Sequence, residues 1–318
     1  MRVASVDVLR GFCIVIMILV NAGAGLQFSQ LYHSDWNGLT LADVIFPMFL
    51  FVVGLAIPLS THLNFRRILR RTIILFALGL IVNGFPYYDL GTLRVTGVLQ
   101  RIALCYLFAA LLFMYIKSAQ KIAYITSSIL IGYWLLLSFV PSVSVSVDAF
   151  LLPNHLLPVG TIYMGKVVDP EGLVSTISAL ASTLIGLLVG MNLNTFKSIK
   201  ALGYGTLLVG IGLLWNFTFP INKHLWTSSF VLVTGGLSII AFAVLFYIIE
   251  RKNLKSWSLY FRAIGTNAIL TYALSELLIA AFPLWLGFSW GLVFGVEILA
   301  LCSLVTVLLF WRKISIRV

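Results

Sequence analysis

The chain is built from long apolar stretches separated by short polar breaks. Ten such stretches, at 9–27, 41–60, 68–86, 97–116, 120–140, 173–192, 200–217, 226–249, 263–282 and 287–311, stand out along the 318 residues. Each is close to the roughly 20 apolar residues that a helix needs to cross a bilayer. The pattern predicts an all-α fold: a polytopic integral membrane helix bundle of about ten transmembrane helices. Residues 141–171 form the longest stretch without a clear span. No convincing internal repeat is visible, so 1–318 reads as a single transmembrane domain.

Composition agrees, since 61% of residues are hydrophobic and only 10% are charged. A soluble domain is nearer a quarter charged. The net charge of +11 is a signal of topology. Arg94, Lys166 and Lys223 fall on one side of the ten spans and Arg101 falls inside one; every other lysine and arginine lies on the side of the two termini. The positive-inside rule therefore places both termini in the cytoplasm. The basic residues are scattered over short turns, which suits membrane lipids with anionic headgroups and not nucleic acid. Arg2, Arg10 and the small residues Ala22–Gly25 imitate a secretory signal, but Asp7 interrupts the basic region, and the segment is read as the first span. Cys13, Cys105 and Cys302 lie inside apolar stretches without metal or disulfide spacing, so no metal is expected.

The break that carries most chemistry is His33-Ser34-Asp35-Trp36-Asn37-Gly38-Leu39-Thr40-Leu41-Ala42-Asp43. Polar groups at membrane depth need partners or a water-filled cavity. A histidine suits a general base, and it can also carry an acyl group. Asp35 and Asp43 are placed to orient its ring. Asn21, near the outer end of the first span, is either helix–helix glue or a donor to a developing oxyanion.

Other candidates are spread along the chain. Asp7 and Arg10 open the first helix, as a helix start or as an anion site that takes phosphate. Arg101 sits within the fourth span, facing a cavity or a carboxylate partner. Asp169-Pro170-Glu171-Gly172 reads as a helix start or as a pair of acids facing a substrate. Lys223 follows Pro220 on the outer side, and Asn267 and Glu276 lie along the ninth span. Pairing of Glu276 with Arg101 explains both residues as well as a functional role does.

Several motifs carry a resemblance: Ser5–Gly11, Val20-Asn21, His33–Thr40, Ala42-Asp43, Phe46-Pro47, Gly97–Arg101, Asp169–Gly172, Asn222-Lys223 with Leu225-Trp226, and Gly265–Leu270. Together and in this order they resemble the heparan-alpha-glucosaminide N-acetyltransferase family, within the wider class of transmembrane acyltransferases. The resemblance implies transfer of an acetyl group from cytoplasmic acetyl-CoA, as co-substrate, to an amino-sugar or glycan acceptor on the periplasmic or lumenal side. It implies that His33 is the catalytic histidine, with Asn21 as its polar partner and Asp43 beside it. Arg10, with Asp7 and the basic turns, would hold the CoA phosphates, and Arg101 would line the inner cavity. Asp35, Trp36, Asn37, Asp169, Glu171, Lys223, Asn267 and Glu276 would serve the substrates. A bacterial type of member implies the inner membrane, and a homodimer is a candidate assembly. The segment 22–32 is only loosely similar and 141–166 is not matched. A secondary transporter of a small anion or sugar derivative and a non-catalytic membrane scaffold are the competing classes. Thiol release from acetyl-CoA and gradient-driven uptake separate them.

Overall fold

The computed structural model describes residues 3–60, 63–158, 160–287 and 290–315. Among them are twelve α-helices: α1 Ala4–Asn21, α2 Leu41–Ala56, α3 Phe65–Gly84, α4 Val98–Ile116, α5 Ala119–Phe139, α6 Val143–Leu151, α7 Leu173–Met191, α8 Ser198–Trp215, α9 Ser228–Phe246, α10 Leu259–Thr266, α11 Ala268–Leu286 and α12 Leu292–Trp311. The two strands form one antiparallel hairpin, β1 Ile162–Tyr163 and β2 Lys166–Val167. Its two turn residues, Met164 and Gly165, both have positive φ, as tight two-residue hairpins require.

Nine helices among the described residues are long and apolar enough to cross a membrane. Nine of the ten expected spans correspond to these helices. The third expected span is also a helix, α3. It begins earlier than expected, and its first two turns carry Arg66, Arg67, Arg70 and Arg71, so only its second part is apolar. The ninth expected span is broken at Asn267, where a non-helical ψ of 36° divides α10 from α11. The unassigned 141–171 stretch supplies α6 and the hairpin.

Burial orders the bundle. The span that begins with α2 is 83% buried, whereas α8 is 17% and α5 is 28% buried. The core helices α1, α2, α7 and α9 are buried over most of their length. The outer helices α5, α8 and α12 expose side chains such as Ile131, Leu207, Leu214, Leu304 and Leu308, as a surface facing acyl chains does.

Two crossings bring helix backbones into direct contact. In the first, Gly54 of α2 faces the carbonyl of Thr183, and Gly186 of α7 faces the carbonyl of Phe51. In the second, Gly11 of α1 meets the Phe261 carbonyl, and Gly265 of α10 meets that of Asp7. A side chain at any of these four positions would overlap backbone. Lipid gives helices no hydrophobic reason to associate, so close packing of small residues holds them together. Gly54→Val and Gly186→Val are each expected to cost about 1–3 kcal/mol. This would be read as a clear fall in the thermal midpoint in detergent. Gly203→Ala, with open space around its Cβ, is expected to leave the midpoint within a degree or so of the parent protein, roughly the scale of a neutral surface change.

Candidate active site

Asp43 organises the first part of the site. It is the third residue of α2 and its side chain is fully buried. Thr40 and Asp43 form a capping box: Asp43 Oδ2 accepts from the Thr40 backbone N–H (3.1 Å) and from Thr40 Oγ1 (3.0 Å). The Ser34 N–H donates to the same oxygen at 3.1 Å. The other oxygen, Oδ1, lies 2.8 Å from His33 Nδ1. The carboxylate thus fixes the ring and the tautomer together, because Nδ1 must carry the proton it donates. Nε2 is then left as the acceptor.

The segment between α8 and α9 brings the second part. Asn222 shapes it: its N–H donates to Thr227 Oγ1 (3.0 Å), its Oδ1 accepts from the Leu225 N–H (2.9 Å), and its Nδ2 donates to Asn37 Oδ1 (3.1 Å). The Gly38 N–H donates to the Ile221 carbonyl at 2.9 Å, which ties the His33 loop to this segment. Lys223 is thereby carried over His33, with Nζ 2.9 Å from Nδ1 and 3.0 Å from Nε2. Its distance to Asp43 Oδ1 is 3.7 Å. Burial pulls the Lys223 ammonium below the usual lysine range, against the upward pull of Asp43 and Glu171. Trp36 is stacked between Tyr163 of the hairpin (4.9 Å) and His224 (5.4 Å).

The third part gathers at the start of α7. Arg94 binds Asp169 in a bidentate manner, Nε to Oδ2 at 3.0 Å and Nη2 to Oδ1 at 2.5 Å, and Nη2 also reaches Glu171 Oε2 at 2.7 Å. Thr96 Oγ1 and the backbone N–H groups of Leu157 and Glu171 complete the shell of Asp169. Burial works to raise the Asp169 carboxyl, but Arg94 and these donors hold it below the usual carboxylate range. Arg101 is buried and donates to Thr176 Oγ1, Ser175 Oγ and the Gly172 carbonyl, with its guanidinium 4.7 Å from the Trp226 ring centre.

Two cavities meet at His33. One, of about 480 Å³, lies among α1, α2, α3, α4 and α11 and is lined by Asn21, His33, Arg94, Glu171, Lys223 and Glu276. The other, of about 710 Å³, is lined by loop residues that include Tyr32, Ser34, Asp35, Thr161 and His224. Val20, Asn21, His33 and Trp290 line both. A third opening of about 730 Å³, between α5, α7, α8 and α9, has Lys197 and Lys200 among its lining residues and none of the expected site residues.

The expected residues therefore divide. Asn21, His33, Asp43, Glu171, Lys223 and Glu276 come together, with Asp35, Trp36 and Asn37 at their edge. Asn21 Nδ2 donates to Glu276 Oε1 at 2.6 Å, so the carboxylate expected to pair with Arg101 pairs with the asparagine instead. Arg101 lines neither of these two cavities, since its Nε and Nη2 are turned to the start of α7; its neighbour Gln100 lines the first. Asp169 is enclosed by Arg94 and does not line either cavity. Asp7 and Arg10 sit 3.5 Å apart, with Arg10 Nη1 3.4 Å from the Gly265 carbonyl, and Asn267 donates to the Ile314 carbonyl. None of these three lines the two cavities. Sequence reasoning passed over Asn83 and gave no site role to Gln100, next to Arg101, or to Tyr272, on the ninth span with Glu276; all three line the first cavity. Arg94 had a signal that was not used, as one of the few cations on the outer side.

A family model described as "Heparan-alpha-glucosaminide N-acetyltransferase, catalytic" matches residues 2–166. The chain belongs to this family. The human protein named heparan-alpha-glucosaminide N-acetyltransferase is 27% identical over 92% of the chain and 54% of its own length. The mouse protein of that name is 30% identical over 92% of the chain and 55% of its own length. The chain thus spans about half the length of the curated relatives it matches. The family and the nine apolar helices together describe a multi-pass membrane protein.

Asp148 of α6 supports the start of α7, where Glu171 is placed. Its Oδ1 accepts from the N–H groups of Leu173 (3.1 Å) and Val174 (3.2 Å). Burial pushes its carboxyl up from 3.8 to about 6. A raised folded-state value means that its stabilising contribution is full below about 3.8 and is lost as pH rises through about 6. Asp148→Asn keeps an accepting oxygen and stays neutral. Its thermal midpoint is expected to match that of the parent protein at pH 4 and to exceed it at pH 7.5, by the equivalent of about 1–3 kcal/mol. A deficit of the variant at pH 7.5, measured by unfolding in nanodiscs, would contradict this assignment.

Proposed function

We propose that the chain is a membrane acetyltransferase that takes acetyl-CoA as donor and an amino-sugar type of amine as acceptor. The observation that carries this reading is the place of His33 between two cavities, with Nδ1 held by Asp43 and Nε2 left free. In the proposed reaction the acceptor amine attacks the thioester carbon, and a C–N bond forms. Nε2 takes the proton released from nitrogen. The carbonyl re-forms as the C–S bond breaks, and the CoA thiolate takes the proton from Nε2. No net proton is left on the protein.

Two cavities that share His33 favour both substrates being bound at once, and hence direct transfer over an acyl-histidine intermediate. The smaller cavity, deeper among the helices, suits the thin thioester arm. The larger one, lined by loops and by Asp35, suits a cationic, hydroxyl-rich acceptor. The basic side of the chain, with Arg10 among its residues, suits the CoA phosphates. By this reading the donor enters from the cytoplasm and the acceptor from the other side.

His33→Ala is expected to lower kcat for acetyl transfer by about 10²–10⁴-fold while acetyl-CoA binding persists. Initial rates with both substrates varied should give intersecting lines, and radiolabelled acetyl-CoA alone should leave no label on the protein. Labelled His33 with parallel-line kinetics would replace direct transfer by the acyl-histidine route. Undiminished turnover in His33→Ala would reject the assignment of the site.

A further inference from the structure

Lys223 is buried, lines the smaller cavity and stands within 3.0 Å of both ring nitrogens of His33. An atom so close to both nitrogens in the plane of the ring would overlap Cε1, which lies between them. Nζ must therefore stand over the face of the imidazole. It does not occupy the in-plane lone pair of Nε2, and that nitrogen stays free to take a proton.

Several of the other polar groups around this point are engaged, while the buried Gln100 amide, which also lines this cavity, has no hydrogen-bond partner among the described residues and is an uncharged donor. Of the lysine and arginine that line this cavity, Arg94 is held by Asp169 and Glu171. Asn21 donates to Glu276, and Asn83 Nδ2 donates to the carbonyls of Arg94 (3.0 Å) and Thr96 (2.6 Å). The carboxylate nearest to Lys223 is Asp43, at 3.7 Å, and its oxygens are taken by His33, Ser34 and Thr40. An ammonium has three donors. At most one points to Asp43, which leaves others for the cavity. The backbone that carries Lys223 is held by the bonds of Asn222, so the charge is fixed before substrate arrives.

We infer that Lys223 is the oxyanion-stabilising residue of the site, its ammonium placed to receive the negative charge that develops on the thioester carbonyl oxygen while His33 Nε2 takes the proton. This inference rests on the acetyl-transfer reading above. With Nζ 3.0 Å from Nε2, the oxygen of a thioester attacked by an amine held at Nε2 can turn toward Nζ on that face of the ring. Lys223 exchanges no proton in this role. It offers charge from a side chain that is only 11% exposed, where such charge acts more strongly than in bulk water.

The test uses the full chain in nanodiscs, with kcat and KM for acetyl-CoA measured at a saturating acceptor amine. Binding of a thioether analogue of acetyl-CoA is measured in parallel. Lys223→Met is expected to lose about 10²–10³-fold in kcat, with KM and analogue binding shifted less than about threefold. Lys223→Cys is then alkylated with 2-bromoethylamine, which rebuilds a side chain of nearly the same length ending in an ammonium. The three native cysteines are buried and remain as an unmodified background in the parent protein. Alkylation is expected to restore at least tenfold of the lost kcat. Two results overturn the inference: Lys223→Met that raises KM and leaves kcat intact, or stoichiometric alkylation of Lys223→Cys, in protein that binds the analogue normally, without recovery. If the parent protein itself transfers no acetyl group, the proposed function fails first. If the parent protein is active and Lys223→Met equals it, only the role of Lys223 fails.

Discussion

A carboxylate buried at the end of a membrane helix must be surrounded by donors, and the site grows out of the way Asp43 meets that demand. An unpaired charge there would cost several kcal/mol. The chain meets the cost by bending the His33 loop back over the start of α2. Thr40 and Ser34 donate to one oxygen, His33 to the other, and Lys223 closes in from the segment before α9. The same contacts that make Asp43 tolerable set the tautomer of His33 and the place of a cation above it. Stability and chemistry share one set of hydrogen bonds here.

A second polar centre works on the same principle. Arg94, Asp169 and Thr96 form a closed shell, and Arg101 is clamped over the first turn of α7 by Ser175, Thr176 and the Gly172 carbonyl. Both arginines are spent mainly on structure. Their effect on the site is to hold the first turn of α7 so that Glu171 reaches the cavity and not the loop. The close glycine crossings do the same for the helices. With backbone against backbone, α2 and α7 cannot slide without overlap, so the residues at their ends keep their distances.

The bundle was legible because span length and the sign of the turns both follow from the bilayer. The exceptions have physical causes. The four arginines of α3 lie in its first turns, where a window of fixed composition fails, and the break at Asn267 is a local backbone feature within an apolar run. His33, Asp43 and Asn21 were legible as polar residues next to long apolar stretches. Thr40-Leu41-Ala42-Asp43 also carried the spacing of a capping box, a signal that sequence reading could have used. The pairings were not legible. Whether Glu276 meets Arg101 or Asn21 depends on how helices are rotated in the bundle, which spans as uniformly apolar as α4 and α11 do not specify. For the same reason Gln100, one position before Arg101, was given no site role although it faces the cavity.

The central claim is that the donor thioester reaches His33 through the smaller cavity. The most direct test is a cryo-EM structure of the full chain in nanodiscs with a thioether analogue of acetyl-CoA. The account predicts density for the arm in the cavity of about 480 Å³, with its acyl carbon roughly 4–6 Å from His33 Nε2, which leaves room for an acceptor nitrogen about 3 Å from each. An analogue seated instead in the opening beside Lys197 and Lys200, or bound with its acyl end remote from His33, would contradict it.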